Sequence, residues 1–246
     1  MKSMHIRLAY RYKMNALLIS TAIFTTVMAL LLTALIAGTL RINLSIDGNV
    51  RSSFSGYGFA AAIFVFITGI VSIREDFRLF MQYGVTRKTT YLVQILAAGS
   101  VAIILALLGE LLLKMSQLAV GTDSRLVISD LYYLIFADKN RFRPMIIQHL
   151  ESIATYISLF ICAYSAGAFI SLLFYRLNKI WTVIVAVGAP ILILVGLPIL
   201  VSRLNINLDR PVLFVTSQPW LFIALFCTVA VVFNIVNWLL LRRAPV

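Results

Sequence analysis

The sequence predicts an all-α integral membrane protein with six transmembrane helices, and three observations carry that prediction. Six runs of the 246-residue chain contain no Asp, Glu, Lys or Arg: residues 14–40, 52–73, 89–109, 152–175, 180–202 and 211–241. The shortest holds 21 residues, and a hydrocarbon core of roughly 30 Å is crossed by about 20 apolar residues in a helix. Hydrophobic residues make up 61% of the chain and charged residues only 12%, where a soluble domain carries about 25% charged. Helices suit such a chain because each closes its own backbone hydrogen bonds, which lipid requires. The runs take up most of the length, so a single transmembrane domain is expected over 1–246, with no room for a second, soluble one.

The spans are expected at about 16–40, 54–73, 89–113, 152–175, 180–201 and 219–241, with one long extracellular loop at 114–150. Tyr10, Tyr12 and Lys13 precede the first span as an interfacial anchor of aromatic rings and a snorkelling ammonium. That span exceeds the apolar region of a secretion signal and shows no small-residue cleavage pattern before Arg41, so it is expected to be retained. Gly58 with Ala62 on the second span, and Ala163 with Gly167 and Ser171 on the fourth, form stripes of small residues that allow close helix approach. Packing within the chain and a dimer seam are both open for them. Glu110, at the end of the third span, is expected to pair with Lys114 at the outer rim, the alternative being a gate or proton site. Pro190, Gly196 and Pro198 interrupt the fifth span and predict a bend, either a static kink or a hinge beside a substrate path. Residues 126–136 are apolar at partly helical spacing but too short to span, so they lie along the outer leaflet or cap the bundle. Cys162 and Cys227 fall in apolar runs, where each serves as a small hydrophobe.

An even number of crossings puts both termini on one side, and charge chooses which. One side collects twelve cations: Lys2, Arg7, Arg11, Lys13, Arg74, Arg78, Arg87, Lys88, Arg176, Lys179, Arg242 and Arg243. The other has nine, spread over longer loops, with seven of the nine acids. The denser side is expected to be cytoplasmic. Much of the net charge of +12 is therefore a membrane asymmetry suited to anionic head groups, and it does not indicate nucleic acid.

The connection after the second span, SIREDFRLFMQYGVTRKTTYLVQ, has internal order. Ile73, Phe77, Phe80 and Met81 recur at helical spacing, with Arg74, Glu75, Asp76, Arg78 and Gln82 on the remaining surface. Gly84 is placed to end a helix and Thr86 to cap the next. A short amphipathic helix on the cytosolic side follows, lying on lipid or docking a protein. Glu75 and Asp76 are the only acids on that side, where anionic lipid would repel them, and this favours a protein partner.

The segment REDFRLFMQYGVTRKTTYL, in a layout of basic lead-in, six spans and internal termini, resembles the first cytoplasmic loop of six-span permease subunits of bacterial type-2 ABC exporters. The resemblance implies that residues 74–83 form a coupling helix inserted into a separate ATPase subunit. Phe77, Phe80 and Met81 would then be groove-filling anchors, Glu75, Asp76 and Arg78 polar contacts, Gly84 the turn that aims the third span, and Arg87 and Lys88 the membrane boundary. It also implies a second membrane subunit, the same or homologous, in a bacterial cell membrane. ATP and Mg would bind the partner, with no cofactor on this chain.

Other classes fit less well. The chain has no GxSxG, HExxH or GxxxxGK[ST] motif, and His5 and His149 lie outside the apolar runs, so an enzyme is not expected. An ion-coupled secondary transporter would need charged groups within the spans, leaving only hydroxyls, Asn234 and Asn237 as polar candidates. A six-span substrate-binding subunit of a vitamin-type importer would reach its ATPases through another membrane protein, which gives the amphipathic segment no docking role. Spans without fixed charge suit an amphipathic peptide or lipophilic compound as cargo.

Overall fold

The computed structural model describes residues 2–36, 52–53, 56–120, 126–127, 131–136, 144–177, 214–216 and 218–242. Among them are six α-helices: α1 (Lys2–Ile36), α2 (Tyr57–Gln82), α3 (Arg87–Val120), α4 (Leu131–Phe136), α5 (Met145–Arg176) and α6 (Pro219–Arg242). A two-residue parallel ladder, β1 (Ser52–Ser53) on β2 (Leu126–Val127), pairs Ser52 with Leu126. Ile6–Ala34, Arg87–Leu118, Met145–Tyr175 and Pro219–Arg242 are long and apolar enough to cross a bilayer, and Tyr57–Ser72 is a shorter apolar helix. The chain is thus a helical protein of membrane-embedded character. The expected fifth span, 180–201, with Pro190, Gly196 and Pro198, lies outside the described residues.

Hydroxyl side chains in these helices satisfy themselves locally, which makes them compatible with lipid. Thr21 Oγ1 donates to the Leu17 carbonyl at 2.7 Å and Thr26 Oγ1 to that of Ala22 at 2.7 Å. The face of α1 that carries Thr26, with Ile19, Ile23 and Leu30, is exposed and largely apolar, while Thr21 lies on the buried side.

Two boundaries differ from those set by the charge-free runs. α3 continues to Val120 rather than stopping at 113, and α5 begins at Met145 rather than 152. Charge did not end either helix, because Glu110 and Glu151 are turned inward and hydrogen-bonded there. The loop expected at 114–150 is correspondingly shorter. Its α4 caps the bundle: Tyr132 and Phe136 are buried, Phe136 meets Phe222 edge-on at 5.9 Å, and the Leu131 N–H donates to Tyr156 Oη at 3.1 Å.

Glycines set the closest approach, between α2 and α5. A methyl at Gly69 would stand 2.5 Å from the Tyr164 carbonyl oxygen, and one at Gly167 would strike that of Phe66. Gly58 makes room for the Tyr156 ring. The small-residue stripes therefore form a seam within the chain, because the backbones themselves meet. Ala61, Val65, Ala97, Val101, Leu105 and Phe160 fill the adjoining core, and Phe24 of α1 stacks on Phe64 at 4.6 Å.

One end of the bundle is basic. Lys13 of α1 pairs with Asp76 of α2 at 2.8 Å, and the Arg87 guanidinium at the start of α3 donates to the Arg242 carbonyl at the end of α6 at 2.7 Å. Cationic segments far apart in sequence thus share an end.

Candidate functional site

Among the described residues, the basic end carries the most distinct local structure. α2 does not stop at the end of its apolar part but runs on through Gln82, so residues 74–82 continue the same helix and are no separate rod. The extension, about ten residues at about 1.5 Å each, projects roughly 15 Å beyond Ser72. It ends in a Schellman turn: the Val85 N–H donates to the Phe80 carbonyl at 2.9 Å and the Gly84 N–H to that of Met81 at 3.1 Å. Gly84 sits at φ +70, a conformation costly for residues with a Cβ. Thr86 Oγ1 then accepts from the Thr89 N–H at 3.4 Å and starts α3. Tyr83, at the tip, is 76% exposed.

The expected anchors separate. Phe80 is only 3% exposed, packed with Ala9, Val85 and Val93 and edge-on to Tyr12 at 6.4 Å. It holds the tip to α1 and α3 and so cannot fill a partner's groove from this position. Met81 is half-buried against the main core. Asp76 is likewise taken by Lys13, which is 2% exposed, so an intrachain partner accounts for this acid and the argument from lipid repulsion lapses for it. The side chains of Glu75, Phe77 and Arg78 lie outside the described residues, although their backbone is helical. Arg87 and Lys88 open α3, the first bonded to α6 and the second exposed.

The Lys13–Asp76 pair belongs to a wider cluster. Ser72 Oγ donates to Asp76 at 2.9 Å and lies 3.3 Å from Tyr164 Oη, while Lys13 Nζ stands 5.9 Å above the Tyr164 ring. Three helices, α1, α2 and α5, therefore meet in one polar cluster directly beneath the extended tip. Attraction across the Lys13–Asp76 pair, with the Ser72 hydrogen bond to Asp76, offsets part of the cost of desolvating the two ions.

The opposite end holds two buried carboxylates. Glu110 accepts from Ser152 Oγ at 3.2 Å and is hydrogen-bonded to His149 Nδ1. Tyr132 Oη donates to Glu151. This overturns the expected rim pair, since Lys114 is exposed while Glu110 faces α5. The helix continues past Glu110, and its register puts this residue on the same buried side as Ala106 and Leu113. Glu110→Ala removes the acceptor that His149 and Ser152 share and is expected to cost about 1–3 kcal/mol, read from denaturant unfolding of the purified protein. Among the described residues no group of three or more His, Cys, Asp or Glu is placed to hold a metal ion.

Comparison with family models, curated proteins and solved structures returns no match. The functional reading therefore rests on the chain's own geometry. Sequence reasoning put Tyr83 in the implied coupling segment without a role of its own, and missed Lys13 as a buried ion and the His149–Glu110 and Tyr132–Glu151 pairs. Only the i, i+4 spacing of Ser72 and Asp76 hinted at an inward acid.

Proposed function

We propose that the chain is the membrane subunit of an ATP-binding-cassette exporter, with six spans, cytosolic termini and the α2–α3 tip docked on a separate ATPase subunit that binds ATP and Mg. One observation carries this reading: an exposed Tyr83 at the end of a rigid turn, on a helix locked along its length to α5 and at its base to Lys13. A push on such a tip is delivered to the bundle and not absorbed by a flexible loop. The shared basic end agrees with cytosolic placement under the positive-inside rule. α5 and α6 both end at that side, which fits one further crossing between them and hence six in all. Within this reading a second membrane subunit completes the path, and the cargo is an amphipathic peptide or lipophilic compound in a bacterial membrane.

The docking surface is redrawn from the sequence expectation. Tyr83, Gln82 and Thr86 present exposed groups, while Phe80 stiffens the turn from within. Tyr83→Asp, which leaves Phe80 and the Schellman turn intact, is expected to reduce co-purification of the ATPase subunit at least tenfold without changing bilayer insertion. Undiminished nucleotide hydrolysis in the purified complex of that variant contradicts the assignment.

The buried Glu110 with its half-buried partner His149 favours a second reading, an ion-coupled secondary transporter, because ionisable groups in a span are functional candidates. Reconstituted protein separates the two. Uptake driven by a proton gradient without nucleotide, and lost in Glu110→Gln, belongs to the second.

A further inference from the structure

Between α3, α5 and α6 lies a cavity of about 30 Å³ lined by Tyr91, Gln94, Tyr164, Ser165, Asn234 and Asn237 among apolar residues. Gln94 is seven residues into α3 and Asn237 five from the end of α6, so at about 1.5 Å per residue the cavity lies some 8–10 Å in from the basic end. Its polar lining contains no charge apart from the phenols' weak acidity.

Two of these groups are deeply buried and incompletely used. Gln94 is 3% exposed and Asn237 2%. Asn237 Nδ2 donates to the Ser165 carbonyl at 2.9 Å, but its Oδ1, like Gln94 Nε2, has no partner among the described residues. Neighbouring groups are, in contrast, tightly held: Asn234 Nδ2 donates to Ser165 Oγ at 2.8 Å and Tyr91 Oη to the Asn234 carbonyl at 2.6 Å. Burying a donor and an acceptor unpaired costs about 1–3 kcal/mol each, so two residues that line one cavity and leave one of each unpaired favour an occupant offering the converse pair.

We propose that this cavity is a binding site for a neutral group carrying both a hydrogen-bond acceptor and a donor, above all an amide. The amide carbonyl accepts from Gln94 Nε2 and its N–H donates to Asn237 Oδ1. A carboxylate supplies no donor and would be buried without a counter-ion; a hydrocarbon pairs with neither group. The volume suits one such group, given that a water needs about 10–15 Å³. This inference rests on the exporter reading, narrowing its cargo to molecules with uncharged amides, such as apolar peptides. Tyr164 also connects the cavity to the Lys13–Asp76 cluster, placing the site next to the base of the tip.

Trp238, whose ring lies 5.2 Å from that of Tyr91, is a built-in reporter. In lipid nanodiscs, with Trp181→Phe and Trp220→Phe, acetamide is expected to change Trp238 fluorescence saturably. Acetate, the carboxylate of the same shape, or isobutane is expected to bind at least tenfold more weakly. Gln94→Met, which keeps the side-chain shape, and Asn237→Leu should each weaken amide binding tenfold or more; if Asn237→Leu fails to fold, Gln94→Met decides alone. Equal binding of amide and alkane, unchanged binding in Gln94→Met, or no saturable change with the amide, as for a cavity holding water only, overturns the proposal. No ATPase subunit is present in this assay, so failure of docking at Tyr83 is scored separately.

Discussion

Asp76→Ala is expected to destabilise the protein by about 3–5 kcal/mol, the usual cost of leaving one member of a buried ion pair behind. Lys13 is almost fully enclosed by α1, α2 and the Tyr164 ring, and its ammonium cannot reach water without unpacking α1. The loss removes the ion's counter-charge and the acceptor of Ser72 together. Lys13→Met alone should cost less, because Asp76 keeps Ser72 and is the more accessible partner. In the double variant Lys13→Met with Asp76→Leu, most of the loss should return, since an apolar pair of similar volume often replaces a buried ion pair without penalty. Denaturant unfolding of the four proteins as a double-mutant cycle measures the coupling. Additive losses would mean the two side chains do not act as a pair.

Gly69→Val combined with Gly167→Val should have the next largest effect. Overpacking a well-filled core costs about 1–3 kcal/mol per site, and here the added carbons meet backbone carbonyls of the facing helix, which cannot rotate aside. The seam between α2 and α5 must open, and the tip at the end of α2 moves with it. A disulfide between cysteines placed at Ala62 and Phe160 offers the readout: efficient in the parent, lost in the double valine variant, with bilayer insertion retained. Unchanged cross-linking and stability would show that the two helices do not pack through these glycines.

Much of the fold was legible because lipid imposes two strong rules, apolar length and internal backbone bonding. Four of the expected spans correspond to long apolar helices, and the second to a shorter one. Gly84 and Thr86 were readable for a local reason, since caps depend on residues within a turn of each other. What failed was reading charge as a boundary. A lone Glu or Lys at the edge of an apolar run looks like the rim when its partner is distant in sequence, and Glu110 with His149 or Lys13 with Asp76 are such pairs. Phe80 was misplaced as a docking anchor for a similar reason: helical periodicity shows that it belongs to an apolar stripe but not what the stripe meets. Contacts with Ala9 and Val93, from two other helices, decide that it faces inward.

The most direct test of docking at the α2–α3 tip is a photo-crosslinking side chain placed at Tyr83 in the full-length protein, in native membranes. One dominant adduct with a nucleotide-hydrolysing subunit is expected. Adducts with phospholipid alone would contradict docking at the tip.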